Sequence, residues 1–374
     1  MEKRIKMKIA VDLTSLADNF TGIERFALNV TEEMLRQNKS NQYILVFKEE
    51  IYGAFKEYED CPMIDMLVLP RRNKLWFYQI TLYGALRKLK ADIFFFPAFP
   101  APFFLRKKGM VNTIFDMGCW DCPDAMTGKM ACYFRIMYRN AVKHSERIVT
   151  ISEFSSRRIQ KILGVAREKI SIVYCAVSDD LYEEPESSWE KVREVYELPE
   201  KYLLCLSTLE PRKNLQLLLQ AFAELIGEGS CEYDLVLAGR KGWKLDEVLG
   251  NIPQTIAQRI HITGYVEEQD LPMLYAHAKL FVFPSRYEGF GIPPLEAMAS
   301  GVPVLCSDLE VLREVLGEKA EYFRSDDRES LKAALSRCLE SGHVFPAREE
   351  LITYSRRYSY KSSARQLCRE LNIL

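Results

Sequence analysis

The sequence lacks a long apolar run and an export signal. Its longest apolar stretch, IFFFPAFPAPFFL at 93–105, is interrupted by three prolines, whereas a membrane-spanning helix needs about 20 consecutive apolar residues. The opening segment MEKRIKMKIAVDL has only a short apolar run before Asp12, which predicts a first β-strand and no signal peptide. We therefore expect a cytoplasmic protein whose ten cysteines are reduced thiols.

An excess of charge of one sign is also missing. The chain has 51 Lys and Arg against 52 Asp and Glu, a net charge of −1, which gives no indication of nucleic-acid binding. With 48% hydrophobic and 28% charged residues, its composition is that of a soluble globular protein. A length of 374 residues favours two domains over one.

Metal-ligand motifs are scarce. Cys119 and Cys122 have the CxxC spacing of redox and zinc sites, but no second CxxC or close His pair supplies the remaining ligands. No metal-binding cluster of the Asp-x-Asp type is apparent, and we interpret His261 and His277 as structural. The sequence therefore predicts neither a metal site nor a cofactor.

Apolar segments rich in β-formers alternate with helical patterns along the whole chain. Continuous rather than alternating apolar strands predict parallel sheets that are covered on both faces. The first series is KIAVDL, YILVFK, DIFFFP, VNTIFD, RIVTIS and ISIVYCAV, and the second is YLLCLST, YDLVLAG, RIHITGYV, KLFVFPS, PVLCSD and AEYFR. Between them, residues 178–201 read as an acidic linker with one helix. We predict two doubly wound Rossmann-like α/β domains, 1–180 and 181–354, facing a central cleft.

Ligands of such sheets bind beyond the carboxyl ends of the strands. The chain after the first strand, VDLTSLADNFTGIERF, has no GxGxxG, which argues against a dinucleotide-binding domain. In the second domain KLFVFPS leads into the loop SRYEGFG and the helix-like IPPLEAMAS. Because proline suits the first turn and glycine the end of a helix, we expect a helix from the prolines to Gly301. This places Glu296 in or near the first turn.

Two clusters in the second domain indicate a nucleotide ligand. Gly289 and Gly291 allow close approach of the backbone and offer N–H groups to an anion. Glu296 is placed to accept hydrogen bonds from two adjacent hydroxyls, as on a ribose, or else only offsets the helix dipole. In STLEPRKNL, Arg212 and Lys213 follow the first strand of the domain. There they are suited to hold a diphosphate, the alternative being ordinary solvated charge.

Six motifs together resemble the retaining, GT-B-fold nucleotide-sugar glycosyltransferases of family 4. They are TGIERF, TIFDMGCWDCPDA, VTISEFS, LEPRKNL, HITGYV and SRYEGFGIPPLEAMASGVPVL. The resemblance covers nearly the whole chain, and E-x7-E in an EGFG loop together with RKN is its specific part. It implies transfer of a mannose- or glucose-type hexose, with retention of configuration, from a nucleoside-diphosphate sugar. The implied acceptor is a saccharide or lipid-linked saccharide in surface-polysaccharide assembly.

The resemblance also implies roles for individual residues. Glu288 corresponds to a catalytic glutamate against the donor sugar, Glu296 to the ribose-binding glutamate, and Arg212 and Lys213 to the diphosphate-binding pair. The implied first-domain site has one departure, because the usual His-Asp is Phe115-Asp116 here. The remaining donor-binding positions are Gly22, Tyr265, Val266, Gly289, Phe290 and Gly291, and the acceptor-side candidates are Asp12, Arg25 and Phe115.

The departure at Phe115 leaves the donor sugar and the catalytic part of Asp116 open. A role through the main-chain carbonyl survives phenylalanine, whereas a role through an imidazole does not. No carboxylate is assigned as a covalent nucleophile; we favour attack on the leaving-group face, with a phosphate oxygen taking the acceptor's proton. Two other functions stay as alternatives: a nucleotide-sugar epimerase of the same fold, which needs no acceptor, and a non-catalytic nucleotide-sugar-binding subunit.

Two further expectations concern surfaces. Residues 61–112 carry nine Lys or Arg and two Asp, a net charge of +7, mixed with Trp76, Phe77 and Tyr78. Such a region is suited to peripheral contact with an anionic membrane. The alternative, that the aromatic residues belong to the core and the charges to an ordinary helix surface, is weighed slightly higher. The family resemblance also predicts that the C-terminal helix, 355–374, packs back on the first domain.

Overall fold

The computed structural model describes residues 6–16, 22–73, 76–183, 187–208, 210–240 and 253–373. The chain folds into two compact units. The first unit takes the described residues up to Trp120, then Gly128–Ala176 and the chain from Ser359 onward. The second takes Asp121–Thr127 and Val177–Tyr358. The chain therefore changes unit at 176/177, a few residues before the expected boundary.

The first unit contains a seven-stranded sheet with the order β3-β2-β1-β4-β5-β6-β7. All its pairings among the described residues are parallel. The strands are β1 Lys8–Asp12, β2 Gln42–Lys48, β3 Ile64–Leu69, β4 Ile93–Phe96, β5 Met110–Thr113, β6 Arg147–Thr150 and β7 Ile170–Ile172. Strand β3 was not among the predicted strands; it lies at the sheet edge and is mostly exposed or half-buried. A continuous apolar run is therefore not required there.

The second unit contains a six-stranded parallel sheet with the order β10-β9-β8-β11-β12-β13. Its strands are β8 Tyr202–Leu206, β9 Asp234–Ala238, β10 Ile260–Gly264, β11 Leu280–Phe283, β12 Val304–Ser307 and β13 Glu321–Phe323. The strand order reverses between β8 and β11, as it does between β1 and β4 in the first sheet. The predicted fold class, two doubly wound parallel-sheet α/β domains, is confirmed.

The helices lie between successive strands and follow the last one. They are α1 Gly22–Gln37, α2 Tyr83–Lys88, α3 Gly118–Asp121, α4 Gly128–His144, α5 Glu153–Leu163, α6 Trp189–Val195, α7 Leu215–Gly227, α8 Gln254–Ala257, α9 Leu271–Ala276, α10 Ile292–Ala299, α11 Glu310–Leu316, α12 Arg328–Leu339, α13 Arg348–Ser355 and α14 Tyr360–Glu370. A π-helical segment, Phe77–Leu82, precedes α2. Among the described residues, no helix combines the length and apolarity needed to cross a bilayer.

The C-terminal stretch is two helices rather than one. Helix α13 packs against α10 in the second unit, whereas α14 packs against α1 in the first. The return to the first unit is fixed by polar contacts: Ser363 Oγ donates to Tyr174 O at 2.7 Å, and Asn41 Nδ2 donates to Ile373 O at 2.9 Å. The segment on the first unit therefore begins at Ser359, four residues later than predicted.

The core of the second unit holds the β8–α7 connection in place. Helix α7 buries Leu215, Leu218, Leu219, Phe222 and Leu225, a spacing that puts all five on one helix face. These side chains join buried residues of β8, β9, β11 and α12 in a single apolar cluster. The turn that precedes α7 is therefore attached to a rigid element, which is what a precise binding site needs.

Candidate active site

The turn between β8 and α7 is built from polar contacts. Residues Pro211–Lys213 form one turn of 3₁₀-helix, and Asn214 follows with a φ of 55°. Asn214 Nδ2 donates to Asp326 Oδ1 at 3.0 Å, and the same oxygen accepts from Arg286 Nε at 2.6 Å. Arg286 N in turn donates to Arg212 O at 2.9 Å. These bonds join the turn after β8 to the loop after β11.

Glu288, in the loop after β11, pairs with both basic residues of the turn after β8. Its Oε1 lies 2.7 Å from Lys213 Nζ, and its Oε2 lies 3.1 Å from Arg212 Nη1. Arg212 Nη1 also donates to Tyr287 O at 2.8 Å. The side chains of Lys213 and Glu288 are only 8% and 9% exposed. Three residues predicted from two separate motifs therefore form one buried ion cluster, the Arg212–Glu288–Lys213 cluster.

The charge state of the cluster follows from its neighbours. Burial acts to raise the pKa of Glu288, but the adjacent charges of Arg212 and Lys213 outweigh it and lower that pKa to about 2. Burial, together with Arg212, lowers the pKa of Lys213, and Glu288 partly offsets this. Glu288 is thus ionised at neutral pH, and its negative charge offsets the positive charges of Arg212 and Lys213 in this buried site.

This pKa predicts a pH-dependent contribution to stability. Because the folded-state pKa of Glu288 lies below its ordinary value of 4.5, its contribution is fully present above about pH 4.5 and is lost as pH falls towards 2. We expect Glu288→Gln to lower the free energy of unfolding by about 3 kcal/mol at neutral pH and by about half as much near pH 3. Urea unfolding of both proteins at the two pH values measures this.

The matched control for that experiment is Glu350→Gln, in an exposed pair with Lys319 on the same unit. Exposed ion pairs contribute little, so its effect should be small at both pH values. A stability difference between wild type and Glu288→Gln that stays the same from neutral pH to pH 3 would contradict the assigned charge state.

Two residues that the sequence analysis missed orient these cations. Glu210 Oε1 accepts from Arg212 Nε at 3.0 Å and lies 2.9 Å from Nη2, so that Arg212 sits between two carboxylates. Lys213 Nζ lies 4.9 Å from the ring centre of Phe283, the last residue of β11. A ring face offsets part of the cost of burying an ammonium. Glu210 adjoins the RKN motif, but nothing in the sequence connects Phe283 to Lys213.

The glycine loop between β11 and α10 is fixed by shape. Gly291 has a φ of 102°, and a Cβ there would lie 2.5 Å from Leu312 Cδ2, so only glycine fits. Phe290 is buried, with its ring edge-to-face against Tyr358 at 5.5 Å. The side chain of Phe290 thus anchors the loop in the second unit.

Glu296 is the fifth residue of α10, which begins at Ile292, and so lies directly after the first turn, near it as predicted. It is buried, and its Oε2 accepts a hydrogen bond of 2.8 Å from Tyr275 OH. Because the effect of the helix dipole falls off within the first turn, this position favours the ribose-binding interpretation of Glu296 over a role in offsetting the helix dipole. Tyr275, fully buried in α9, orients the carboxylate and was also missed, because no motif links it to Glu296.

The position predicted for the base lies after β10. Val266 is buried, whereas Tyr265 is 41% exposed. The guanidinium carbon of Arg240, which follows β9, lies 4.7 Å from the ring centre of Tyr265. The strands β8, β9 and β10 are neighbours and parallel, so Tyr265 and the Arg212–Glu288–Lys213 cluster belong to the same carboxyl-end edge of the sheet.

The first-unit candidates divide into structural and accessible positions. Phe115 packs edge-to-face on Phe26 of α1, with ring centres 5.3 Å apart. Asp116 Oδ1 accepts from Gly118 N at 2.7 Å, at the start of α3. Gly22 is the exposed first residue of α1. Phe115 is thus a core residue whose side chain packs against α1.

Asp12, the last residue of β1, is held by a turn. Its Oδ1 accepts from Thr14 N at 3.1 Å and from Thr14 Oγ1 at 2.7 Å, and Tyr78 OH lies 3.5 Å from Oδ2. Burial raises the pKa of Asp12 to about 6, although the hydrogen bonds from Thr14 and Tyr78 lower it. Arg25 is half-buried in α1. Asp12 therefore positions its neighbours rather than presenting a charge to solvent.

A cavity of about 1140 Å³ lies within the first unit, at the carboxyl ends of β1, β2 and β4. The order of the strands reverses between β1 and β4, which is where sheets of this kind bind ligands. Rings and polar groups share its lining, among them Thr14, Lys48, Tyr52, Arg71, Phe99 and Tyr133. Thr14 and Tyr78, the partners of Asp12, both line it.

Cys119 and Cys122 form no disulfide, and all ten cysteines are free thiols. Cys119 is buried in the first unit, whereas Cys122 is half-buried in the segment Asp121–Thr127 of the second. The CxxC spacing thus joins residues of two different units.

The two parallel sheets, each with a reversal of strand order beside a polar site, have the architecture of the GT-B fold. Comparison with family models identifies the family: residues 189–358 match the Glycosyl transferases group 1 family, and residues 20–181 match Glycosyltransferase Family 4. The chain belongs to the group 1, family 4 glycosyltransferases.

Two curated relatives act in O-antigen synthesis. O-antigen chain mannosyltransferase B of Escherichia coli is 34% identical over 259 residues, which are 68% of this chain and 67% of the relative. O-antigen chain mannosyltransferase RfbU of Salmonella typhimurium is 31% identical over 225 residues, 60% of this chain and 59% of RfbU. The alignment with RfbU thus spans less than two thirds of that protein.

The solved structure of HepE from Anabaena, in complex with UDP-glucose, has a TM-score of 0.72 and 17% identity. The match covers 98% of this chain and 100% of HepE. At this identity the likeness establishes the GT-B fold and no more.

Proposed function

We propose that the protein is a retaining hexosyltransferase that uses a nucleoside-diphosphate sugar to extend a saccharide or lipid-linked saccharide in surface-polysaccharide assembly. The observation that carries the proposal is the Arg212–Glu288–Lys213 cluster at the carboxyl ends of β8 and β11, where the strand order reverses. The O-antigen mannosyltransferases among its relatives favour mannose as the transferred sugar and an O-antigen-like acceptor.

The second unit is the proposed donor-binding unit. Arg212 offers a planar guanidinium and Lys213 a compact ammonium, a combination suited to the oxygens of a diphosphate. Glu296, oriented by Tyr275, is the proposed partner of the ribose hydroxyls. The loop main chain at 289–291 would complete the phosphate site, and Tyr265 with Val266 would lie beside the base.

The proposed chemistry uses the charges of the cluster. As the bond between the anomeric carbon and the diphosphate breaks, negative charge grows on the leaving group, where Arg212 and Lys213 stabilise it. Glu288 supplies negative charge beside the sugar, which becomes oxocarbenium-like. The acceptor oxygen attacks from the same face and a phosphate oxygen takes its proton, which retains the configuration. In this scheme two fixed cations do the electrostatic work of a metal.

The first unit is the proposed acceptor-binding unit. Its cavity combines aromatic rings with charged and hydroxyl groups, as a saccharide requires. Asp12 would hold Thr14 and Tyr78 in the cavity wall, and Arg25 is a second acceptor-side candidate. Asp116, on the same unit, is the proposed catalytic candidate beside the acceptor. Gly22, exposed at the start of α1, is the proposed backbone contact to the donor phosphates. Phe115 would act only through its main chain.

A thermal-shift screen tests the donor class. Nucleoside diphosphates and their hexose conjugates should raise the melting temperature by several degrees at concentrations well above their Kd, and nucleoside monophosphates should do so less. The base that gives the largest shift identifies the nucleotide. The proposal fails if no diphosphate stabilises the wild-type protein, or if Arg212→Ala responds to diphosphates as the wild type does.

Replacement of Glu296 by Ala is expected to weaken donor binding by about 10- to 150-fold, because a buried diol loses a charged partner worth about 1.5–3 kcal/mol. The turnover of bound donor should change little. Tyr275→Phe should have a smaller effect in the same direction, since it removes only the bond that orients the carboxylate. Donor titration with initial rates measures both, and normal donor binding by Glu296→Ala would exclude the ribose role.

A surface of the first unit supports membrane contact. Trp76, Ile80 and Phe104 are 63%, 51% and 67% exposed. Phe103 N donates to Gln79 Oε1 at 2.9 Å, which joins the loop of Phe104 to the helix of Ile80. Phe77, by contrast, is a core residue, and Lys74 lies outside the described residues. The exposed basic residues of 61–112 are Arg71, Arg72, Arg87, Lys88, Lys90, Arg106 and Lys108.

We therefore expect the protein to sediment with anionic vesicles at low salt and not with neutral ones, with about 1 kcal/mol of attraction for each basic residue near the surface. Combined replacement of Trp76 and Phe104 by Ser should weaken this binding at least about tenfold. Val344→Ser, at an 85% exposed site on the second unit, is the control. Equal sedimentation with neutral and anionic vesicles would exclude the membrane surface.

A further inference from the structure

Three potential metal ligands of different kinds meet in the second unit, on elements that the donor site does not use. They are Glu321, the first residue of β13, Cys338 in the last turn of α12, and His343 in the loop that follows. A carboxylate oxygen, the Cys338 Sγ and a His343 ring nitrogen all lie within 4.8 Å of one another. Thiolate, imidazole and carboxylate are together the ligand set of zinc.

The loop after α12 directs His343 back onto the helix end. Gly342 has a φ of 106°, and His343 N donates to Glu340 O at 3.2 Å, so the chain turns sharply after the helix. The ring of Phe345 lies edge-to-face against the imidazole, with ring centres 4.5 Å apart. This packing fixes the imidazole beside Cys338, five positions earlier in the chain.

A buried nitrogen in this cluster has no hydrogen bond. His343 Nε2 is inaccessible to solvent and has no hydrogen-bond partner among the described residues; Glu321 Oε1 lies 3.4 Å away. Buried polar atoms in folded proteins are almost always paired, and a place for a bound ion is one reason for an exception. Arg337 is near the other carboxylate oxygen, with Nη2 3.4 Å from Glu321 Oε2, and this half-exposed side chain leaves Oε1 to face His343.

We propose that Glu321, Cys338 and His343 bind one divalent cation of the zinc type, with water completing the coordination. The ion would have a structural role. Glu321 begins β13, an edge strand, so the site lies at the amino-end edge of the sheet, whereas the Arg212–Glu288–Lys213 cluster follows the carboxyl ends of its strands. A bound ion would join this edge strand to the end of α12. Burial raises the pKa of the Cys338 thiol to about 12, so binding must displace its proton into solution.

Cobalt titration of the chelator-treated, reduced protein tests the site, because a cobalt–thiolate bond absorbs in the near ultraviolet. We expect this band to saturate at one equivalent of Co²⁺ and to disappear when Zn²⁺ is added. Zn²⁺ should also raise the melting temperature by several degrees. Cys338→Ser should abolish the thiolate band, and His343→Gln should weaken binding at least about 100-fold.

The chain offers matched controls for each variant. Cys231→Ser removes another buried thiol and His277→Gln another imidazole, and both should bind Co²⁺ as the wild type does. His343 is partly exposed, so its variant keeps the test valid if Cys338→Ser does not fold. The proposal is overturned if no band appears at one equivalent, or if the band persists in Cys338→Ser or binding is unchanged in His343→Gln. Stabilisation by nucleoside diphosphates should survive all four changes, which separates this site from the donor site.

Discussion

Arg212→Ala is expected to lower kcat/KM by about 10³- to 10⁵-fold, with losses in both donor affinity and turnover. A charge-assisted hydrogen bond to the diphosphate contributes about 1.5–3 kcal/mol to donor binding. The same group meets additional negative charge as the diphosphate departs, and removal of one such donor costs about 10²- to 10³-fold in turnover. Because the interaction strengthens towards the transition state, affinity alone does not account for the loss.

Lys213→Ala should show the same pattern. In either variant Glu288 keeps one cation, Lys213 at 2.7 Å or Arg212 at 3.1 Å, so the fold should persist and melting curves can confirm it. The matched control is Arg324→Ala, which removes a guanidinium that is 79% exposed on the same unit. Donor titration and initial rates separate the two losses. A folded Arg212→Ala variant with normal donor affinity would contradict the diphosphate site.

Glu288→Gln should lower turnover by about 10²- to 10³-fold while donor affinity changes less. Glutamine preserves the shape of the side chain but removes the negative charge beside the developing sugar cation. It also releases Arg212 and Lys213 from their shared counter-charge, so that both remain available to the diphosphate in the ground state. The variant is therefore expected to bind donor and to transfer it slowly.

Glu350→Gln, the control variant of the unfolding experiment, is also the control for the rate measurement and should have wild-type turnover. Donor affinity is best measured with an unreactive nucleoside diphosphate, which keeps binding separate from chemistry. Near-full turnover in Glu288→Gln would contradict the catalytic role of this residue. A loss confined to donor affinity would make it a binding residue only.

The sequence was informative about the fold where strands are buried on both faces. Continuous apolar runs predicted β1, β2 and every strand from β4 to β13. The edge strand β3 was missed because Asp65 interrupts the apolar segment and leaves only the four apolar residues 66–69 after it. The C-terminal stretch looked like one helix because the break at 356–359 contains no glycine or proline; the separation of α13 from α14 depends on packing against different units.

The site was predicted as residues but not as contacts. The RKN and EGFG motifs identified Arg212, Lys213 and Glu288, yet their direct pairing depends on β8 and β11 being neighbours in the sheet. Tyr275 carries no local signal, because its role comes from the packing of α9 beside α10. The cluster of Glu321, Cys338 and His343 was likewise invisible, since a strand, a helix and a loop meet there without a recognisable spacing.

The most direct test of the central claim is the fate of a nucleotide sugar followed by NMR. Purified protein is given GDP-mannose or UDP-glucose, each with and without a saccharide acceptor. We predict release of nucleoside diphosphate and a new anomeric signal with the donor's configuration, only when acceptor is present and only with intact Arg212. Isomerisation of the donor without acceptor would identify an epimerase. Donor that binds but is never consumed with any acceptor would identify a non-catalytic binding protein, and either result would contradict the proposed transferase.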